Sequence, residues 1–380
     1  MHYEKSGESF KFYGNIEGYK TEQINFRLLI KIMNSALLCG MTVDEIYNII
    51  RNYGFERTHA VKTATSFYRK RIANFSEMSD LPKSLKKLLS SDFSPGLFIP
   101  VASETSVDKT IKYLFRTDPV KEFETVYLPD SKRRTVCVST QAGCRMGCPY
   151  CLTGRYGFKG NLTAGEIVNQ IYSLPETKKI THVVFMGMGE PMDNLEDLLR
   201  ACEIITSEWG FAISPRNVTV SSVGITPGIE EFLKRSNCNL TLSLFSPFAE
   251  ERAEVVPVEK IYPVHRIIEI IKAFPLTKKR RISLAYVMIK DINDSDRHLN
   301  ELIKLLKGSS IRINLLAYHS VPDDPNHSSS EEKMRYFRHT LISSGIPASI
   351  RKSRGEDISA ACGLLASGLK KNSNTDSYYH

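Results

Sequence analysis

Three cysteines, Cys144, Cys148 and Cys151, stand in a C-x3-C-x2-C arrangement inside CVSTQAGCRMGCPYCLTGRYGFKG, the stretch from Cys137 to Gly160. Gly143 and Gly147 allow the tight turns that bring the thiols together. Three soft thiolates on one short loop suit an iron–sulfur cluster, whose usual complement is four. The missing fourth ligand leaves one iron open to something else. A structural zinc site would close all four positions, commonly with a second cysteine pair or a histidine. No such pair follows, because Cys202, Cys238 and Cys362 are isolated.

Other stretches could also do chemistry. MGMGEP, Met186 to Pro191, follows the apolar run HVVFMG; its glycines permit close approach to a ligand, and Glu190 is free to accept hydrogen bonds from an ammonium or hydroxyl group. Ser221, Ser222 and Gly224 in VTVSSVG, and Ser243 in LTLSLF, either hold ribose or carboxylate groups or simply terminate strands. Cys362, in RGEDISAACGLLASG behind Glu356 and Asp357, is read as opening a helix, where free N–H groups favour a thiolate. Cys39 and Cys202 are expected on apolar helix faces, and Cys238 as structural. Lys132, Arg133 and Arg134 form a cationic turn just before Cys137, able to hold phosphate near the chemistry or merely to solvate a hairpin.

These residues need elements to position them. From Thr163 the text alternates apolar strands (HVVFMG, VTVSSVG, LTLSLF, RRISLAYVMI, IRINLLAY, ASIRKS) with amphipathic helices, the first opened by Thr163 and Glu166 in capping-box spacing. Such βα repetition implies a parallel sheet covered by helices, with sites at the strand C-terminal ends. Roughly six units fit a partial barrel, although a doubly wound sheet has the same pattern. Ahead of them the expected order is a tail over 1–20, a helical module over 21–91 with basic edges at Arg69–Arg71 and Lys83, Lys86 and Lys87, and a lead-in over 92–120 with strands at IKYLFR and EFETVYLP. The barrel then occupies 121–368, and a polar tail 369–380.

A chain of 380 residues, 42% apolar and 24% charged, describes a globular protein. No apolar run suggests a membrane span and MHYEKSGESF does not read as a signal peptide, so no membrane and a cytoplasmic, reducing location are expected. The formal charge of +9 favours a polyanionic partner.

Taken together, the cysteine motif, its continuation TGRYGFKGNLTAGEI, MGMGEP and DISAACG resemble the radical SAM rRNA adenine methyltransferases: the 23S rRNA (adenine-2503) C2-methylating family and its C8-methylating, antibiotic-resistance relatives. The likeness runs from about residue 20 to about residue 368. It implies a partial (βα)6 radical SAM barrel with a small N-terminal all-helical domain that helps hold RNA. It also implies one [4Fe-4S] cluster on Cys144, Cys148 and Cys151, and S-adenosylmethionine (SAM) contacted by Gly189, Glu190, Ser222, Ser243 and His319. By the same resemblance Cys362 carries the methyl group. A 5′-deoxyadenosyl radical from a second SAM takes a hydrogen from it, and the resulting carbon adds to adenine. Cys137 then resolves the adduct by attacking the Cys362 sulfur, while Glu124 positions the base or handles its proton. The implied partners are 23S rRNA, tRNA in some members, and a low-potential donor such as flavodoxin or ferredoxin, with the enzyme monomeric. Arg351, Lys352 and Arg354 become candidate phosphate contacts.

Two positions depart from the family. SLFSP carries Phe245 where the family usually has histidine, and INLLAYHSVP carries His319 where it usually has a SAM-contacting asparagine. Phenylalanine replaces a polar contact with packing; neutral imidazole still donates one hydrogen bond and accepts another. By the resemblance C2 methylation is the leading expectation, with C8 methylation and a non-catalytic RNA-binding iron–sulfur protein, which the two altered positions keep open, as alternatives. A glycyl-radical-forming activase would leave Cys137 and Cys362 without a purpose.

Overall fold

The computed structural model describes residues 3–6, 9–12, 36–275, 280–320 and 324–365. Ten strands lie side by side in chain order: β1 (Ala102–Thr105), β2 (Ile111–Arg116), β3 (Glu122–Leu128), β4 (Thr135–Cys137), β5 (His182–Phe185), β6 (Val218–Ser222), β7 (Asn239–Ser243), β8 (Ile282–Met288), β9 (Arg312–Ala317) and β10 (Ala348–Arg351). β1 to β4 are mutually antiparallel and β4 to β10 are parallel. Six helices fill the parallel crossovers: α1 (Ala164–Tyr172), α2 (Leu195–Thr206), α3 (Thr226–Arg235), α4 (Val264–Ala273), α5 (Asp296–Leu306) and α6 (Glu331–Ser343). This is the expected set of six βα units, with β10 added as a closing strand. The stretch read as a lead-in, 92–120, contributes β1 and β2 to the same sheet.

Chain order decides between barrel and doubly wound sheet. Right-handed crossovers between strands laid down in one direction put every helix on the same face. The burial pattern agrees: in β8, Ile282, Leu284, Tyr286 and Met288 are buried while Ser283, Ala285 and Val287 between them are only half-buried, and β6 alternates the same way. The buried set packs against helix residues such as Ile167, Leu198, Phe232, Ile267 and Leu302. The other face is polar and open, unlike the doubly covered sheet that apolar strands alone suggest.

No ladder joins β10 back to β1 among the described residues. The two ends of the sheet are instead bridged by the segment after β10: Ser106 Oγ and Val107 N–H both donate to Asp357, at 2.6 and 3.1 Å, and Gly355 N–H donates to Asp108 at 3.2 Å. Arg354 reaches the Pro129 carbonyl and pairs with Asp130.

In the N-terminal module the helices are Val43–Ile50, Arg57–Ala64, continued by a π-turn over Thr65–Arg69, and Lys83–Asp92. Most of the helix expected at INFRLLIKIMNSALLCG lies outside the described residues. Its end is not helical: Ala36–Leu37 pairs in parallel with Phe93–Ser94, and Cys39 sits in the following turn, buried but not on a helix face. The basic edge expected to meet RNA is largely engaged by protein. Arg69 donates to the Glu208 carbonyl, Lys70 pairs with Asp80, and the Arg71 guanidinium stacks 4.0 Å from the Phe211 ring. Residues 3–6 and 9–12 pair as two antiparallel strands within the stretch read as a tail, and the tail over 369–380 lies outside the described residues.

Candidate active site

β4 runs straight into the cysteine loop, and its path is fixed from the helix side. Gln170 of α1 accepts from Ser139 N–H at 2.8 Å and donates to Ser139 O at 2.9 Å, while Thr125 Oγ1 donates to Gln170 at 2.7 Å. The capping box holds α1 in register: Glu166 N–H donates to Thr163 Oγ1 and Thr163 N–H to Glu166. Gly143 turns with φ +74°, and a Cβ there would lie 1.6 Å from Gly157 O, so only glycine lets the two arms of the loop close. The turn at Cys148–Cys151 is closed by Cys151 N–H to Cys148 O, 3.1 Å.

Burial raises Cys144 and Cys148 to about 12, with Cys151 also disfavouring ionisation of both. Cys144 and Cys148 thus stay protonated unless a cation draws them to thiolates. Among the described residues no three His, Cys, Asp or Glu side chains converge as a site for a single metal ion. A cluster differs in giving each thiolate its own iron, so its ligands need not meet at one point, and three soft donors on one loop fit it chemically.

The loop after β5 locks onto this strand end. Met188 N–H donates to Ser139 Oγ at 2.8 Å and Glu190 N–H to Gln141 Oε1 at 2.9 Å. Gly189, at φ +97°, passes so close that a Cβ would lie 2.5 Å from the Gln141 Cβ. Glu190 is not free, as the sequence suggested: its carboxylate is buried and accepts from Met192 N–H at 3.0 Å and Val223 N–H at 2.9 Å, with Ser222 also bonded to it. Burial nevertheless raises its pKa to about 7. Ser222 also accepts from Gly224 N–H at 3.0 Å, so this serine ties β5 to β6. Ser243 ends β7, half-buried.

Arg252 was missed by sequence reading, which singled out nothing in AEERAEV. Its side chain is fully buried; it donates to Leu244 O at 2.9 Å and Ser243 O at 3.0 Å, reaches Val223 O, and pairs with Glu259. One guanidinium thereby holds together the ends of β6 and β7. Asn293 does the same between β7 and β8, its Nδ2 donating to Phe245 O and Val287 O, both at 2.8 Å. Phe245 itself has φ +63°, stacks on Tyr150 at 5.7 Å, and packs in a small apolar cluster with Cys148, Ile289 and Tyr318.

Cys137 and Glu124 share one face of the sheet. Cys137 pairs with Val126, and Glu124 stands two residues before Val126 on the same strand. Glu124 does not face water on an edge strand: β3 is paired on both sides and Glu124 is fully buried, 3.6 Å from Lys112 Nζ. Cys137 is buried, receives a hydrogen bond from the Met186 backbone, and lies within electrostatic reach of Cys362; burial pushes its pKa up. Cys362 sits in a turn rather than at a helix start, so no N–H array lowers its pKa. Its surface is open to solvent, yet the protein mass around it disfavours the thiolate and Cys151 adds to this. The turn is docked on the cysteine loop: Leu152 N–H donates to Gly363 O at 2.8 Å and Thr153 Oγ1 to Leu365 O at 2.6 Å. His319, just past β9, shares a 2.7 Å hydrogen bond with Ser353 and lies 3.6 Å from Glu356, both on the segment leading to Cys362. All eight cysteines are free thiols.

The cationic turn Lys132–Arg134 lies elsewhere. It precedes β4 and so stands at the N-terminal end of the sheet, opposite the cysteine loop. Arg354 is engaged with Pro129 and Asp130, and Arg351 bonds Asn314 at 3.2 Å, so neither extends freely beside Cys362.

Residues 138–306 match the model of the radical SAM superfamily. The chain is 44% identical over 334 residues to the "Probable dual-specificity RNA methyltransferase RlmN" of Phocaeicola vulgatus, covering 88% of this chain and 96% of that one. It is 37% identical to the dual-specificity RNA methyltransferase RlmN of Syntrophotalea carbinolica, covering 87% and 90%. Among solved structures, a radical SAM methyltransferase from Sphaerobacter thermophilus superposes with a TM-score of 0.79 at 35% identity, covering 86% of this chain and 98% of that one.

Proposed function

Because the chain belongs to the dual-specificity RNA methyltransferases of the radical SAM superfamily, we propose that it transfers a methyl-derived carbon to C2 of an adenine in 23S rRNA, of the adenine-2503 type, and also accepts the adenine at position 37 of tRNA. The observation that carries this reading is that the turn bearing Cys362 is hydrogen-bonded onto the three-cysteine loop, with Cys137 within electrostatic reach of it. A plain SAM-dependent transferase has no use for such a pair.

Cys144, Cys148 and Cys151 would hold a [4Fe-4S] cluster, which when bound supplies the electron that splits SAM. Two SAM molecules serve each turnover, one as methyl donor and one as radical source. Gly189, Glu190, Ser222, Ser243 and His319 would contact SAM at the strand ends; Gly189 gives the backbone approach, and Glu190, already accepting from Met192 and Val223 N–H, would gain its charge from an ammonium group brought beside it. Cys362 Sγ accepts a methyl group, losing its proton as the thioether forms. An arene carbon does not attack a methyl sulfonium readily, whereas a thiolate does. The Cys362-bound methyl group would then give one hydrogen to the 5′-deoxyadenosyl radical and join adenine C2; release needs the Cys137 thiolate to attack the Cys362 sulfur, so that the sulfur–carbon bond breaks, the carbon takes up a proton to become the methyl group, and the disulfide formed is reduced by a donor. Glu124, fully buried on the Cys137 face, is placed to handle the proton of that step or of the base. A flavodoxin or ferredoxin is the class of electron donor required.

The test is anaerobic turnover of the reconstituted enzyme with SAM, reductant and protein-free 23S rRNA, followed by nucleoside mass spectrometry. 2-Methyladenosine is expected. 8-Methyladenosine alone would move the chain to the C8 branch, and no methyladenosine from a cluster-loaded sample would reject the reading.

A further inference from the structure

The open face of the half-barrel carries a second concentration of charge, at the end away from the cysteines. His182 is the first residue of β5 and pairs with Thr135, which shares the Cys137 face. Arg312, first residue of β9, pairs with Ser283, and Arg281 stands two residues before Ser283 on that face. Arg133 precedes Thr135 by the same spacing. Arg351 pairs with Leu316 in the ladder, but its guanidinium turns back toward the strand starts to bond Asn314 at 3.2 Å. Arg133 and Arg281 each act electrostatically on both His182 and Arg351, so these four groups share one neighbourhood although Arg133 precedes β4, His182 opens β5, Arg281 precedes β8 and Arg351 ends β10. Arg133, Arg281, Arg312 and Arg351 are all exposed, Arg281 also donating to Arg216 O at 2.8 Å, and among the described residues neither these four nor His182 makes an ion pair with Asp or Glu. Lys132 and Arg134, exposed in the turn before β4, add to the same end.

Unbalanced guanidinium groups this close repel one another, and the arrangement is relieved by an anion. Arginine forks match the paired oxygens of phosphate. We propose that this N-terminal mouth of the barrel is a phosphate-binding surface for the backbone of the substrate RNA, gripping it at a point distinct from the target adenine. β8 alone, seven residues long, separates the two ends by roughly 20 Å. Only a folded RNA large enough to reach around the barrel rim touches both. The surface carries no base-reading element, so its contribution is sequence-independent and falls with salt. The inference rests on the RNA-methyltransferase reading, which product formation by the wild-type enzyme tests separately.

The experiment compares anaerobically reconstituted wild type with Arg133→Gln/Arg281→Gln, titrating a fluorescently labelled 23S rRNA fragment at several salt concentrations. The double variant should bind more weakly, with the slope of log affinity against log salt shallower by about 1 per arginine. Its RNA-independent cleavage of SAM to 5′-deoxyadenosine should match wild type, which also shows that it folds. Arg133→Lys/Arg281→Lys, which keeps the charges, should restore the slope. RNA affinity and slope equal to wild type in the Gln variant would overturn the proposal. So would a variant that loses binding of inorganic tripolyphosphate yet holds RNA normally, since the surface would then serve a free phosphate compound.

Discussion

At Phe245 the backbone occupies the left-handed region, φ +63°, where a bulky side chain is uncommon. The strain is held by the Asn293 bond to Phe245 O and by the ring's stack on Tyr150. Replacement by glycine relieves about 1–2 kcal/mol of backbone strain. It also removes a buried aromatic ring worth about 3–5 kcal/mol. Packing wins, and Phe245→Gly should lower unfolding stability by roughly 2 kcal/mol in a denaturant titration. Glu190 makes the complementary electrostatic prediction. Its pKa rises from 4.5 to about 7 on folding, so across that interval the folded chain keeps a proton that the unfolded chain has released. Its contribution is neutral below about pH 4.5, and stability falls as pH rises to about 7. In metal-free protein that decline should be shallower in Glu190→Gln; identical pH profiles of the two proteins would contradict the assignment.

Among the elements, the cysteine loop depends on backbone approach more than on the thiols' own contacts. Gly143→Ala drives a Cβ against Gly157 O and should lower the iron bound per chain after reconstitution, measured by metal analysis, while leaving the helix content seen by circular dichroism unchanged. Much of this level was legible in the sequence. The βα rhythm, the Thr163–Glu166 cap and the cysteine spacing are local signals, and they are where local propensity and tertiary structure agree. What was not legible depended on long-range pairing. Arg252 and Glu259 carry no local signal that sets them apart from solvated charges, because nothing in the sequence tells a solvated helix from one whose arginine caps the ends of two strands. Glu124 was ambiguous until β3 gained a neighbour on each side, and Lys132–Arg134 seemed near the chemistry only because sequence distance ignores strand direction. The Cys362 segment was misjudged as a helix start because its apolar run resembles one, whereas it is a turn held by hydrogen bonds to the cysteine loop.

Across the whole molecule, the half-barrel is closed by a strap of side-chain and backbone hydrogen bonds rather than by a strand ladder, and that strap leads directly to Cys362. Asp357 carries two of its bonds, to Ser106 and Val107. Asp357→Ala should therefore speed hydrogen exchange over residues 353–363 and reduce methylation without changing iron content. Unaltered exchange would mean that the contacts do not secure the segment. The central claim, that the carbon reaches RNA by way of a methylated Cys362 whose methyl group gives up one hydrogen, is tested most directly with SAM deuterated in its methyl group. Mass spectrometry should find two of the three deuteriums in the methyladenosine and the third in 5′-deoxyadenosine. Retention of all three in the RNA product would contradict it.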